Sequence, residues 1–301
     1  MNQLNTFSSA AIFGSVARGD NDTLSDRDLL VISQWHAPEQ SVELLRQCGY
    51  SPAAYTWRSL ESLSRHKSLF LLHLKLEGKI VKDENARLEA FLSSVEASRD
   101  YSTVRGQSVA LAALTSGVPD TYQLKLWAAD VLAVAVRNYL VAFAAERGMF
   151  IFAYNSLIEF ADNHFKFSVG AKQSLLDLRK WKANYRDKGL SIPLPITLDQ
   201  IVLAQQAISS MTGVRITGRK MACHEFAHQL LDVAVPSEPW YHAVRRYEGA
   251  YRSIDSRCFD NDLLDVIESK IASPTCYTND GQVLWKVLRK HVRQAYEKNS
   301  H

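Results

Sequence analysis

The sequence predicts an α+β protein, with a small mixed sheet and its helices over residues 1–98 and a mainly helical region from there to residue 301. Three observations predict it. Short apolar runs, each bounded by Gly, Ser, Asp or Asn, punctuate the N-terminal part, as short sheet strands do. Beyond them helical periodicity takes over almost without interruption. Two breaks interrupt it, Gly117-Val118-Pro119-Asp120 and the stretch 189–195, and the second divides the helical part into expected domains at 99–190 and 191–301.

The first strand is expected at Ala10–Phe13 and the second at Leu29–Ile32, with a Gly-, Ser- and Asp-rich loop between them. A helix should run from Pro38 to Gln47, opened by proline in its first turn and closed by Gly49. Ala53–Trp57 reads as a third strand, Leu60–Gly78 as one helix and Lys79–Lys82 as a fourth strand. Ten further helices are expected, from Asn85–Ala97 to Gln282–Glu297, with Asp120 capping the long one at 120–146.

Composition sets outer limits. A chain of 301 residues that is 47% hydrophobic has ample material for two or three modules. Its net charge of +3 neither demands nor excludes a nucleic-acid partner. Cys48, Cys223, Cys258 and Cys276 form no CxxC pair, which predicts reduced thiols and a cytoplasmic setting. The N-terminus lacks the basic and apolar regions of a signal peptide. The most apolar stretch, Trp127–Phe143, contains Asp130 and Arg137 and is expected to be a buried helix, with no membrane partner.

Chemistry concentrates in Phe13-Gly14-Ser15-Val16-Ala17-Arg18-Gly19 and Ser25-Asp26-Arg27-Asp28-Leu29-Leu30-Val31. Gly14 permits close backbone approach or a positive φ. Ser15 offers a hydroxyl and an amide to a phosphate, and Arg18 is a candidate phosphate contact. On extended backbone Asp26 and Asp28 share one face while Arg27 points the other way. Two carboxylates on one face suit Mg²⁺, which takes hard oxygen ligands together with substrate phosphates. The chemistry this implies is phosphoryl transfer. A solvated Asp/Asn/Ser loop is the plain alternative, and it accounts well for Asn21-Asp22-Thr23.

A GS pair, ten residues and then DxD running into an apolar strand resembles the polymerase-beta-type nucleotidyltransferase superfamily, most nearly its minimal branch with toxin and antitoxin members. Phe70–Val81 is similar to that branch's helix, glycine and closing strand, so the resemblance covers roughly residues 8–95. It implies that Gly14 and Ser15 hold a nucleoside triphosphate (ATP or CTP) and that Asp26 and Asp28 hold Mg²⁺. It implies transfer of a nucleoside monophosphate to a hydroxyl of a protein, a tRNA or a small molecule. One departure matters. The superfamily's third carboxylate belongs on the strand read here as Ala53–Arg58, which has none. Glu61 is the nearest substitute catalytic acid, with Glu77 also close, and Glu146, Glu159 and Asp162 are candidates from the helical part. Without a substitute the protein would be a nucleotide- or partner-binding module of a toxin–antitoxin or defence system.

Other patterns compete for attention. His73 and Lys75 are expected at the solvent edge of a leucine-rich helix. Cys223-His224-Glu225-Phe226-Ala227-His228 contains HExxH, which on a helix sets His224 and His228 on one face with Glu225 as a base. A zinc hydrolase would also need a sheet edge, for which only Val214–Thr217 is available, and a third ligand such as His242, Glu248 or Asp255. A small structural zinc site on His224, His228 and either Cys223 or His242 is a further reading, and a helix with two polar histidines is the plain one. Arg137-Asn138 slightly resembles the Arg-polar pair of a helical RNase module but lacks the following His. Arg137 is expected to face solvent or to pair with Asp130 or Glu146. Finally, Lys286–Arg293 is basic and amphipathic, and Arg245, Arg246 and Arg252 are expected to add charge to it; such a surface suits a tRNA or other nucleic acid, and an ordinary solvated helix face is the equal alternative.

Overall fold

All four expected strands form in the computed structural model, which describes residues 4–35, 39–186, 194–232, 239–271 and 281–299. They are β1 (Ser9–Ile12), β2 (Asp28–Ser33), β3 (Ser51–Thr56) and β4 (Lys79–Asp83), hydrogen-bonded in the order β3-β2-β1-β4. β1 pairs antiparallel with β2 and β4, whereas β2 and β3 run parallel. A parallel pair needs a crossover, and the helix α2 (Glu39–Gln47) supplies it. Pro38, expected to open that helix, lies outside the described residues. A short helix, α1 (Gly14–Arg18), fills the turn between β1 and β2.

Strand alternation sorts the two faces of the sheet. Ala10, Leu29 and Val31 pack with Phe7, Val42 and Leu45 into a core on the α2 side. The pairing register gives the opposite face Asp28, Leu30 and Ile32 of β2, and beside them Ser51, Ala53 and Tyr55 of β3. On that side Tyr55 packs on Phe70, with ring centroids 5.5 Å apart.

The helix expected over Leu60–Gly78 is two helices, α3 (Trp57–Arg65) and α4 (Leu69–Glu77). Lys67 between them has φ of 51°, which a continuing helix cannot accommodate. Thr56 then caps α3 at the Ser59 amide, and Ser68 caps α4 at the Phe70 amide. α5 (Arg87–Ser93) follows β4.

Beyond it come α6 (Ser102–Ala113), α7 (Tyr122–Ala145), α8 (Tyr154–Phe165), α9 (Val169–Arg186), α10 (Leu198–Thr212), α11 (Cys223–Asp232), α12 (Trp240–Ser253), α13 (Asn261–Ile271) and α14 (Gly281–Asn299). The cap of α7 is Thr121, whose hydroxyl accepts from the Leu124 amide, while Asp120 pairs with Lys125 at 2.8 Å. α7 is long and apolar enough to cross a membrane, but 83% of its most apolar window is buried in the protein, as expected of a core helix. Thr197 and Gln200 cap α10 reciprocally. The expected break at 189–195 and Cys276 fall largely or wholly outside the described residues.

The chain packs as two units. One comprises residues 1–105 with 140–159, and the other residues 106–139 with 160–301. Residues 99–190, expected as one helical domain, are thus shared between them. The first unit also holds a helical cluster in which Tyr101, Ala142 and Ala145 pack with Leu69 and Val104. In the second, the indole of Trp127 meets Phe226 edge-on and donates to the Arg245 carbonyl at 3.0 Å.

Candidate functional site

The site grows out of the first strand pair. β1 ends at Ile12 opposite Leu29, and the Phe13 amide donates to the Asp28 carbonyl at 3.1 Å. The chain then turns at Gly14 with φ of 73°. A Cβ at that position would sit 2.7 Å from Asp28 Oδ2, so a side chain there would displace this carboxylate as well as strain a backbone that favours glycine. The turn closes at Gly19, whose amide and that of Asp20 both donate to the Ser15 carbonyl. Asp22 orders the loop that follows, accepting from the Leu24 amide and the Ser25 hydroxyl.

Asp28 is the first residue of β2, and Asp26 precedes it on an exposed, irregular stretch. Arg27 lies 4.4 Å from the centre of the Tyr50 ring and donates to the Tyr50 hydroxyl, on the α2 side of the sheet. Its direction away from Asp28 follows the alternation expected for this motif.

Glu61 belongs to α3, which follows the end of β3 remote from Ser51, the partner of Asp28. It is exposed on α3, 4.0 Å from Arg87, whose guanidinium also covers the Trp57 ring. The β3 positions that share a face with Asp28 are Ser51, Ala53 and Tyr55, none of them acidic. Among the described residues no group of three or more His, Cys, Asp and Glu side chains is arranged to hold a metal ion. Of the remaining acids, Glu146 accepts from the Tyr101 amide and pairs with Arg105 at 2.9 Å, while Asp162 pairs with Lys172 at 3.0 Å.

Arg18, at the end of the turn, reaches α4. Its Nη1 donates to Glu77 Oε2 at 2.5 Å and its Nε to Asp20 Oδ2 at 3.1 Å. His73 Nε2 meets the same Glu77 oxygen at 2.9 Å. Burial pushes the Glu77 carboxyl up, but the hydrogen bonds from His73 and Arg18 outweigh it and hold the group below the ordinary carboxylate range. An ionised carboxylate only accepts, so His73 carries a proton on Nε2. Burial opposes the charge of Arg18 too, and Asp20 and Glu77 more than restore it.

His73 does not mark a solvent edge: it is 5% exposed, stacked on Phe152 at 4.4 Å and edge-on to Phe13 at 5.6 Å. Leu71, Leu72 and Leu74 around it are buried too, so α4 has no polar face there for it to mark. Lys75 does lie at the edge, donating to the carbonyls of Ser93 and Val95. The spacing of His73 and Glu77, one helical turn apart, is the sequence signal that could have paired them.

A family model described as a nucleotidyltransferase domain matches residues 2–92. The N-terminal domain belongs to the polymerase-beta-type nucleotidyltransferase superfamily. In this nucleotidyltransferase domain the matched region contains the turn, both aspartates and the Arg18–Glu77–His73 group. Comparisons with curated proteins and with solved structures gave no match.

The other sequence candidates lie outside that domain. His224 and His228 are exposed on α11; His228 pairs with Asp232 at 3.1 Å, and Glu225 caps the helix at the Ala222 amide. Val214–Thr217 forms no strand. Arg245 and Arg246 do not extend a basic surface, because both are buried, and Arg252 is ion-paired with Glu268. Lys286, Arg289 and Lys290 are exposed on α14.

Proposed function

We propose that this protein transfers a nucleoside monophosphate from a nucleoside triphosphate to an acceptor hydroxyl. The observation that carries the reading is the seat of Asp28 against the glycine turn, inside the region matched by the nucleotidyltransferase model. The acceptor oxygen attacks the α-phosphorus, the bond to the β-phosphate oxygen breaks, and pyrophosphate leaves. Gly14 and Ser15 receive the phosphates, and Arg18 adds positive charge beside them. Asp26 and Asp28 supply the hard oxygen ligands that Mg²⁺ prefers. When bound there, the ion neutralises phosphate charge and stabilises the charge that develops in transfer.

The test is incorporation of label from α-labelled nucleotides into the chain itself, tRNA or aminoglycosides, with and without Mg²⁺. All four nucleotides should be assayed, with ATP and CTP the expected donors. Metal-dependent incorporation that disappears in Asp26→Ala and Asp28→Ala supports the reading. Incorporation that survives in both variants refutes it.

A second reading is a nucleotide- or partner-binding module with little turnover. The acid-free face of β3 favours it, since no carboxylate there takes the proton of an acceptor hydroxyl. Triphosphate binding without transfer to any acceptor, under any divalent metal, would select this reading.

A further inference from the structure

We propose that Glu77 and His73 are positioning residues, which hold Arg18 and the glycine turn in place for a triphosphate; this rests on the proposed function. The geometry binds both ends of the turn to one helix. His73 packs edge-on against Phe13, the residue before Gly14, and Glu77 grips Arg18, the last residue of α1. His73 and Glu77 are joined to each other at 2.9 Å. A turn of α4 therefore spans the phosphate turn from its entry to its exit. Phe152 stacks on the His73 ring and fixes its plane.

Arg18 engages Asp20 through Nε and Glu77 through one N–H of Nη1. A guanidinium has five N–H donors in a rigid fork. Nη2 and the second N–H of Nη1 are thereby aimed by the two anchored ones. An unanchored arginine would have to lose its side-chain freedom on binding, and the anchors remove that cost beforehand.

Electrostatics gives the inference a sign that can be tested. Glu77 is an anion close to a site for anions. On charge alone its neutralisation should tighten triphosphate binding. If its role is to position Arg18, neutralisation should weaken binding.

The experiment is calorimetric titration of the full chain with MgATP and MgCTP. It compares wild type, Glu77→Gln, Arg18→Ala, the double variant and His73→Phe, with thermal melting of each to confirm folding. His73→Phe keeps a ring in contact with Phe13 and Phe152 and removes only the donor, so it also serves if Glu77→Gln does not fold. The expected result is a roughly tenfold weakening in Glu77→Gln, the scale of a hydrogen bond to a charged group. The same change should have no effect in the Arg18→Ala background, and His73→Phe should weaken binding about threefold. Equal or tighter binding by Glu77→Gln, or by a folded His73→Phe, overturns the inference and leaves the proposed function standing. An equal loss in the Arg18→Ala background shows a general structural role and overturns it as well. If wild type binds none of MgATP, MgCTP, MgGTP and MgUTP, the proposed function falls and the inference falls with it.

Discussion

Gly14 and Asp28 are in contact: a methyl group added to residue 14 would come within 2.7 Å of the Asp28 carboxylate oxygen. The contact follows from strand pairing, because the ladder between β1 and β2 continues one step into the Phe13–Asp28 hydrogen bond. A glycine turn and a carboxylate distant in sequence thereby become one surface.

Gly14→Ala should harm this surface twice. The backbone at φ of 73° disfavours any side chain, and the added carbon collides with Asp28. The expected cost in stability is about 1–3 kcal/mol, with triphosphate binding lost in the protein that remains folded. Urea unfolding and calorimetry measure the two effects; a variant with unchanged affinity contradicts the account.

If the missing third acid limits turnover, it should be restorable. Ala53 lies on β3 beside Leu30, on the face that Asp28 shares. Ala53→Asp should raise the rate of nucleotide transfer by at least about tenfold, equivalent to about 1.4 kcal/mol of barrier. A rate that stays the same or falls would show that the acceptor proton leaves by another route.

The helical unit should be acid-sensitive through Asp130. Burial pushes this carboxyl up, but Arg186 and Arg245 bring it down to about 2 from an ordinary 3.8. A depressed carboxylate stabilises the fold at pH above its unfolded value, and that contribution is lost as pH falls from about 4 towards 2. Asp130→Asn removes the carboxylate shared by the buried Arg245 and the half-buried Arg186, with Glu248 still 3.6 Å from Arg186, and should cost about 3 kcal/mol at neutral pH. Denaturant titrations at pH 7 and pH 3 should show the gap between variant and wild type narrowing in acid.

His242 works in a higher window. Burial, assisted by Arg245, lowers its imidazole to about 4 from 6.5. The folded protein thus holds it neutral where the unfolded chain protonates it, so stability declines as pH drops from 6.5 to 4. His242→Phe should flatten the melting temperature over that interval. An unaltered slope would show that other groups carry the dependence.

Much of the N-terminal architecture was legible because strand and motif coincide. The apolar runs flanking the loop defined β1 and β2, and Arg27, turned toward Tyr50, obeys the alternation that the DxD spacing implies. The split between α3 and α4 was not legible, because Lys67 in a left-handed conformation carries no compositional signature. His73 was misjudged for a different reason: it falls in the buried run Leu71–Leu74, where a polar residue among leucines marks an internal partner, whereas Lys75 and Leu76 just beyond it carry the exposed edge. Arg245 likewise looked like surface charge, since its buried partner Asp130 is remote in sequence and meets it only after folding, at 3.6 Å. The acid-free face of β3 could be read from the sequence once the strand was placed, but its register against Asp28 could not.

The central claim is that Asp26 and Asp28 hold a divalent ion together with a triphosphate. Electron paramagnetic resonance titration of Mn²⁺ into the full chain, with a non-hydrolysable ATP or CTP analogue present, measures this directly. The account predicts saturable Mn²⁺ binding that requires the analogue and is lost in Asp26→Asn and Asp28→Asn, with both variants folded. Mn²⁺ bound equally well by wild type and both variants would contradict it.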